Sequence, residues 1–110
     1  MAFFVFPQKW ITPAITAAAL AFGSVEGADD IHIKYHAFPG KSLGGTSAPD
    51  TIIIDKRPKR EWSKERAQCT IVHMYGHLAG RKHSKNRNSI MFKWQYPKPC
   101  HRWLVRHSVN

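Results

Sequence analysis

The sequence predicts a small mixed α/β (α+β) domain, in which a short twisted sheet packs on an N-terminal helix and a histidine-bearing helix, with a short C-terminal helix after them. Three patterns carry that prediction. Ile11, Ile15, Ala18 and Phe22 recur at helical spacing. Ile31, Ile33, Tyr35 and Ala37 alternate with His32, Lys34 and His36, as in a strand with one covered face. Ala67, Thr70, Ile71, Met74 and Leu78 again mark one face of a helix. A chain of 110 residues, 43% of them hydrophobic, can build one core, so residues 1–110 are expected to form a single domain.

Along the chain, Ala2 to Phe6 is a short apolar and aromatic run ended by Pro7, and it suits a strand. Thr12 can cap a helix whose first position is Pro13, where a missing amide hydrogen costs nothing. The stretch from Lys9 to Ala28 also has the composition of a leader peptide, and an ordered helix is the preferred reading. Pro39 and Gly40 stop the first strand. Residues 40–49, rich in Gly and Ser, read as a loop, and Thr51 to Ile54 as a second, β-branched strand.

Ser63 is a candidate cap for the next helix, which should run to about Ala79 and stop at Gly80. Arg81 to Asn88 is polar and basic, then Ile90, Met91, Phe92 and Trp94 return to the core. Pro97 and Pro99 argue against a regular element between them, so the last helix is expected from about His101, burying Trp103, Leu104 and His107.

Charge is unevenly placed within the net +10: residues 1–55 carry three basic and five acidic groups, residues 56–110 fourteen and two. Such a field attracts nucleic acid, an anionic membrane surface or an acidic protein. The simplest reading is a solvated basic face with weak, non-specific polyanion binding through residues 56–110, because no recognisable nucleic-acid module accompanies it. No apolar run approaches the length of a transmembrane segment, about 18 residues. Cys69 and Cys100 are too few for a disulfide scaffold and form no CxxC pair; a bridge between them and two buried thiols are equal alternatives.

The candidate chemistry lies in HMYGHLAGRKHS, residues His73 to Ser84. His73 and His77 are four apart on the expected helix, which puts both rings on one face about 6 Å apart along the axis. Gly80 can adopt positive φ and turn the chain back to deliver His83. Three imidazoles and one open position suit a tetrahedral zinc ion. Gly76, inside the helix, lowers helix propensity; close approach of another segment and a tolerated imperfection are equal alternatives.

At these words the chain resembles the metzincin zinc metallopeptidases, and among them the matrixin-like domains, whose HExxHxxGxxH motif precedes a methionine turn. By that resemblance His73, His77 and His83 correspond to the zinc ligands, Gly80 to the glycine turn, and Met91 in SIM, Ser89 to Met91, to the methionine beneath the metal. The order of the N-terminal strand, long helix, ADDIHIKY strand, loop, TIIID strand and Trp62 extends the similarity over nearly the whole chain. Phe92 stands where tyrosine is common in matrixin-like sequences. Lys93 holds a position that supplies a tyrosine ligand in some other metzincins.

One departure outweighs these. Directly after the first histidine the family carries its catalytic glutamate, the proton relay between the attacking water and the leaving amine, and this chain has Met74. A thioether neither takes nor gives a proton at useful pKa. The resemblance therefore implies a metalloprotease-like pseudoenzyme that binds zinc, with little peptidase activity, serving binding or assembly of a peptide or protein partner at its cleft. An active zinc peptidase with an unusual general base and a basic nucleic-acid-associated protein are the alternatives.

Overall fold

The computed structural model describes residues 5–28, 30–38, 40, 43–56, 62–93 and 97–110. They form a mixed α+β unit in which helices α1 (Gln8–Phe22), α2 (Lys64–Leu78) and α3 (Pro97–Arg106) flank a three-stranded sheet of β1 (His32–His36), β2 (Gly44–Ser47) and β3 (Thr51–Asp55). The sheet order is β1-β3-β2. β1 runs parallel to β3 with Ile33 opposite Ile52, and β2 runs antiparallel to it with Thr46 opposite Ile52. Being central, β3 is covered on both faces, and Ile52 and Ile54 are fully buried.

Helix α1 starts earlier than the Pro13 signal suggests. Its cap is Pro7, and Pro13 lies inside the helix. The ring removes one intrahelical hydrogen bond there, but Ile11, Ala14, Ala17 and Ala18 are buried around it, and their burial holds the turn in place. The stripe is accordingly shifted: Ile15 and Phe22 only flank the core. Of the expected strand from Ala2 to Phe6, residues 2–4 lie outside the described residues, and Val5 and Phe6 are not in a strand. Phe6 is instead a core residue, its ring edge-on to Tyr35 and Trp62, and its N–H donates to the Tyr35 hydroxyl at 2.9 Å.

Residues 40–49 are not all loop, because Gly44–Ser47 forms β2. Two consecutive glycines carry no alternation to read; the strand is specified by its partner, and at Gly44 a Cβ would run into the Ile53 carbonyl. The region 97–106 departs in the same sense. Pro97 and Pro99 occupy the first turn of α3, where amide hydrogens have no intrahelical acceptor, so they start the helix instead of preventing it. Trp103 and Leu104 are buried; His107 follows the helix and stacks on Trp103 at 3.8 Å. Trp94 lies outside the described residues.

Helix α2 crosses the middle of the molecule. Ser63 caps it by accepting the Arg66 N–H at 3.1 Å, and Glu65 stands in the first turn, where the helix dipole favours negative charge. Cys69 on α2 and Cys100 on α3 are joined by a disulfide with a Cα–Cα separation of 6.0 Å. Buried Gln68 donates to the carbonyls of Trp10 and Asn110, at 3.1 and 2.8 Å, tying α2 to α1 and to residue 110. Among the described residues no helix is long and apolar enough to cross a membrane.

Candidate metal centre

The C-terminal end of α2 is shaped by a turn that only glycine enters without strain. Gly80 has φ +91. Its N–H donates to the His77 carbonyl at 3.0 Å, and the Arg81 N–H donates to the Gly76 carbonyl at 2.8 Å. These two bonds make a Schellman stop, and the chain turns back along the helix immediately after it.

The returning segment is held by short polar side chains. The Ser84 and Ser89 hydroxyls accept the N–H groups of Asn86 and Met91, and Asn86 Oδ1 accepts that of Asn88. Ser84 N–H donates to the Met91 carbonyl at 2.9 Å and closes the loop. Met91, 5% exposed, then lies across Gly76. A Cβ on that glycine would fall 2.5 Å from the Met91 sulfur, so the loop reaches the helix only because position 76 has no side chain.

This packing brings His73, His77 and His83 together, with one ligand atom of each within 4.8 Å of the others. His77 Nε2 is 3.1 Å from His73 Nε2 and 3.1 Å from His83 Nε2. On the opposite side of each ring, His73 Nδ1 lies 2.8 Å from the Ile90 carbonyl and His77 Nδ1 lies 2.9 Å from that of Arg81. A carbonyl only accepts, so both Nδ1 atoms carry their hydrogens and both Nε2 atoms present lone pairs.

Two lone pairs at 3.1 Å repel unless a proton or a cation stands between them. A proton is disfavoured at His73, whose pKa is pushed down to about 4, first by burial and then by the neighbouring His77 and His83, against the pull of the Ile90 hydrogen bond. Burial, then His77 and Lys93, lower that of His83 as well. The rings of His73 and His83 are therefore biased toward the neutral form that binds metals. For nitrogens about 2.0–2.1 Å from a tetrahedral zinc, the N···N separation is about 3.3 Å, close to the two shorter edges of the cluster. The three histidines thus form a cluster capable of holding a metal ion.

Three further side chains of α2 face away from the cluster or are paired elsewhere. Met74 is half-buried against the core. The Tyr75 hydroxyl donates to the Gly23 carbonyl at 2.8 Å on the α1 side. Glu65, at the far end of the helix, lies 2.6 Å from His101 Nδ1. The carbonyls of Ile90 and Arg81, which orient two of the rings, carry no sequence signal because any residue could supply them; only Gly80 and the serine and asparagine turns around them could be read. Comparison with known proteins finds no matching family model, no matching curated protein and no matching solved structure.

Proposed function

We propose that His73, His77 and His83 bind one zinc ion in a metzincin-like domain spanning 1–110, which has little peptidase activity and serves binding or assembly. The observation that carries this reading is the set of converging Nε2 atoms, two of them held as lone-pair donors by backbone carbonyls. Carbonyl-fixed imidazoles are the usual outer support of histidine metal sites. A metzincin-like arrangement is further supported by the glycine stop after the second histidine and by Met91 against Gly76.

Zinc with an open coordination position would supply Lewis-acid chemistry. The chain's own residues then decide whether hydrolysis follows. Met74 cannot relay a proton, Tyr75 is committed to Gly23, and Glu65 to His101. Loss of a positioned acid or base costs on the order of 10² to 10⁴ in rate, which leaves metal-dependent structure and binding of a peptide or protein partner as the main roles.

Elemental analysis tests the site. About one zinc per chain is expected, with Zn–N distances of about 2.0–2.1 Å by X-ray absorption. Less than about 0.2 zinc per chain after reconstitution, together with His73→Ala and His77→Ala variants as stable as the parent, contradicts it.

A further inference from the structure

We infer that a cationic groove between the 81–92 loop and α3 binds a linear sulfated polysaccharide. Two cavities, of about 500 and 560 Å³, lie along this boundary, and Asn88 lines both. Their walls carry six cations: Arg81, Lys82 and Arg106 in one, and Arg87, Lys98 and Arg102 in the other. Arg102 and Arg106 are one helical turn apart on α3, so they share a face while serving different cavities. Among the described residues no Asp or Glu lines either cavity. From Trp62 onward the sequence has a single carboxylate, Glu65, and it is paired with His101.

Shape and chemistry select among polyanions. Two neighbouring cavities that share Asn88 suit a single extended chain better than the wide rod of a duplex. Single-stranded nucleic acid is held by bases stacking on open aromatic faces, but among the described lining residues Trp103 is buried and stacked with His107 at 3.8 Å and with Phe22 at 6.3 Å. The Phe22 ring is in turn covered by Arg81, 5.6 Å from its centroid. What the groove offers is guanidinium and ammonium groups with the amides of Asn86 and Asn88, a donor set for sulfate and hydroxyl groups. The Cys69–Cys100 disulfide belongs to oxidising compartments, where sulfated glycans and not nucleic acids are the abundant polyanions.

The test is calorimetric titration of the isolated protein with a heparin decasaccharide, a hyaluronan oligosaccharide of equal length, and single-stranded DNA of equal charge. The heparin probe is expected to bind about tenfold or more tighter than either other probe, with steep loss on adding salt. Arg102→Glu with Arg106→Glu should weaken it by about tenfold or more, whereas Lys34→Glu with Arg66→Glu, the same change in charge outside the groove, should change it less than about threefold. On the parent protein, bound decasaccharide should protect Arg81, Arg102 and Arg106 from phenylglyoxal while Arg66 stays reactive, a readout independent of how the variants fold. Equal loss in both variant pairs, or uniform protection of the arginines, would overturn the groove. DNA or hyaluronan binding as tightly as heparin would overturn the assignment of its occupant.

Discussion

From Ala67 to Val72 every residue of α2 is buried, whereas from His73 to Leu78 buried and half-buried residues are mixed and the helix borders its histidine cluster. The polar groups of the first half are answered within the protein: Gln68 by the Trp10 and Asn110 carbonyls, the Thr70 hydroxyl by the Arg66 carbonyl, Cys69 by Cys100. In the second half the imidazoles are fixed on their Nδ1 side, and their Nε2 lone pairs face one another. One half is complete as a polypeptide; the other holds a cluster capable of taking up a cation. The same helix thus combines a part closed by contacts within the protein with a part that, under the function proposed above, gains order from the zinc it binds.

Removing the cation is the strongest way to separate the halves. At a zinc concentration about a thousandfold above Kd, binding contributes about 4 kcal/mol, so chelation should lower the melting temperature by about 15 °C. Hydrogen exchange should then quicken from His73 to Phe92 and stay slow from Ala67 to Val72. Equal quickening in both segments would mean that the halves are one cooperative unit.

The converse change acts on the closed half. Replacing Cys69 and Cys100 by alanine removes a crosslink spanning 31 residues, which is expected to cost about 3–4 kcal/mol by chemical denaturation. Zinc stoichiometry should be retained, since all three histidines lie outside that half.

A smaller but chemically specific effect is expected at Met74. Under the proposed function, Met74→Glu places a carboxylate directly after His73 and should raise cleavage of an unfolded protein by roughly 10², the scale of a general-base contribution, at some cost in stability for a partly buried carboxylate. His77→Ala in the same background should abolish the gain. A parent that cleaves as fast as the variant would show that Met74 is bypassed. The smallest effect belongs to Gly76→Ala, where a helix-propensity gain of about 1 kcal/mol opposes crowding of Met91 worth about 1–3 kcal/mol. A net loss of about 1 kcal/mol is expected, and Met91→Ala in the same chain should relieve it, which a double-mutant cycle of thermal stabilities measures.

The parts of the molecule that were legible in the sequence are those in which one residue type has one physical use. Ser63 as a cap, Gly80 as a stop, and three histidines spaced to meet across that stop could be read without coordinates. So could β3, as an isoleucine run between polar ends. β2 could not, since Gly44 and Gly45 show no periodicity and pair only because β3 is beside them. Pro13 and Pro97 misled for a related reason. A proline marks where an amide hydrogen is unnecessary or where its loss is tolerated, and which of these holds depends on burial several residues away. The Cys69–Cys100 pairing was left open because two cysteines 31 residues apart say nothing of distance in space.

The bonds of Gln68 also bear on the order in which the structure can assemble. Its amide joins residues separated from it by 58 positions on one side and 42 on the other. A fragment lacking Trp10 or Asn110 cannot make both of these bonds. Long-range contacts of this kind slow folding, because the loops must close before the contacts reward closure. During synthesis, α1 and the sheet emerge well before the segment that completes the surroundings of Gln68. Until Asn110 has emerged, the Gln68 amide lacks this acceptor, so the bond that joins α2 to Asn110 is among the last of the described contacts that synthesis allows to form.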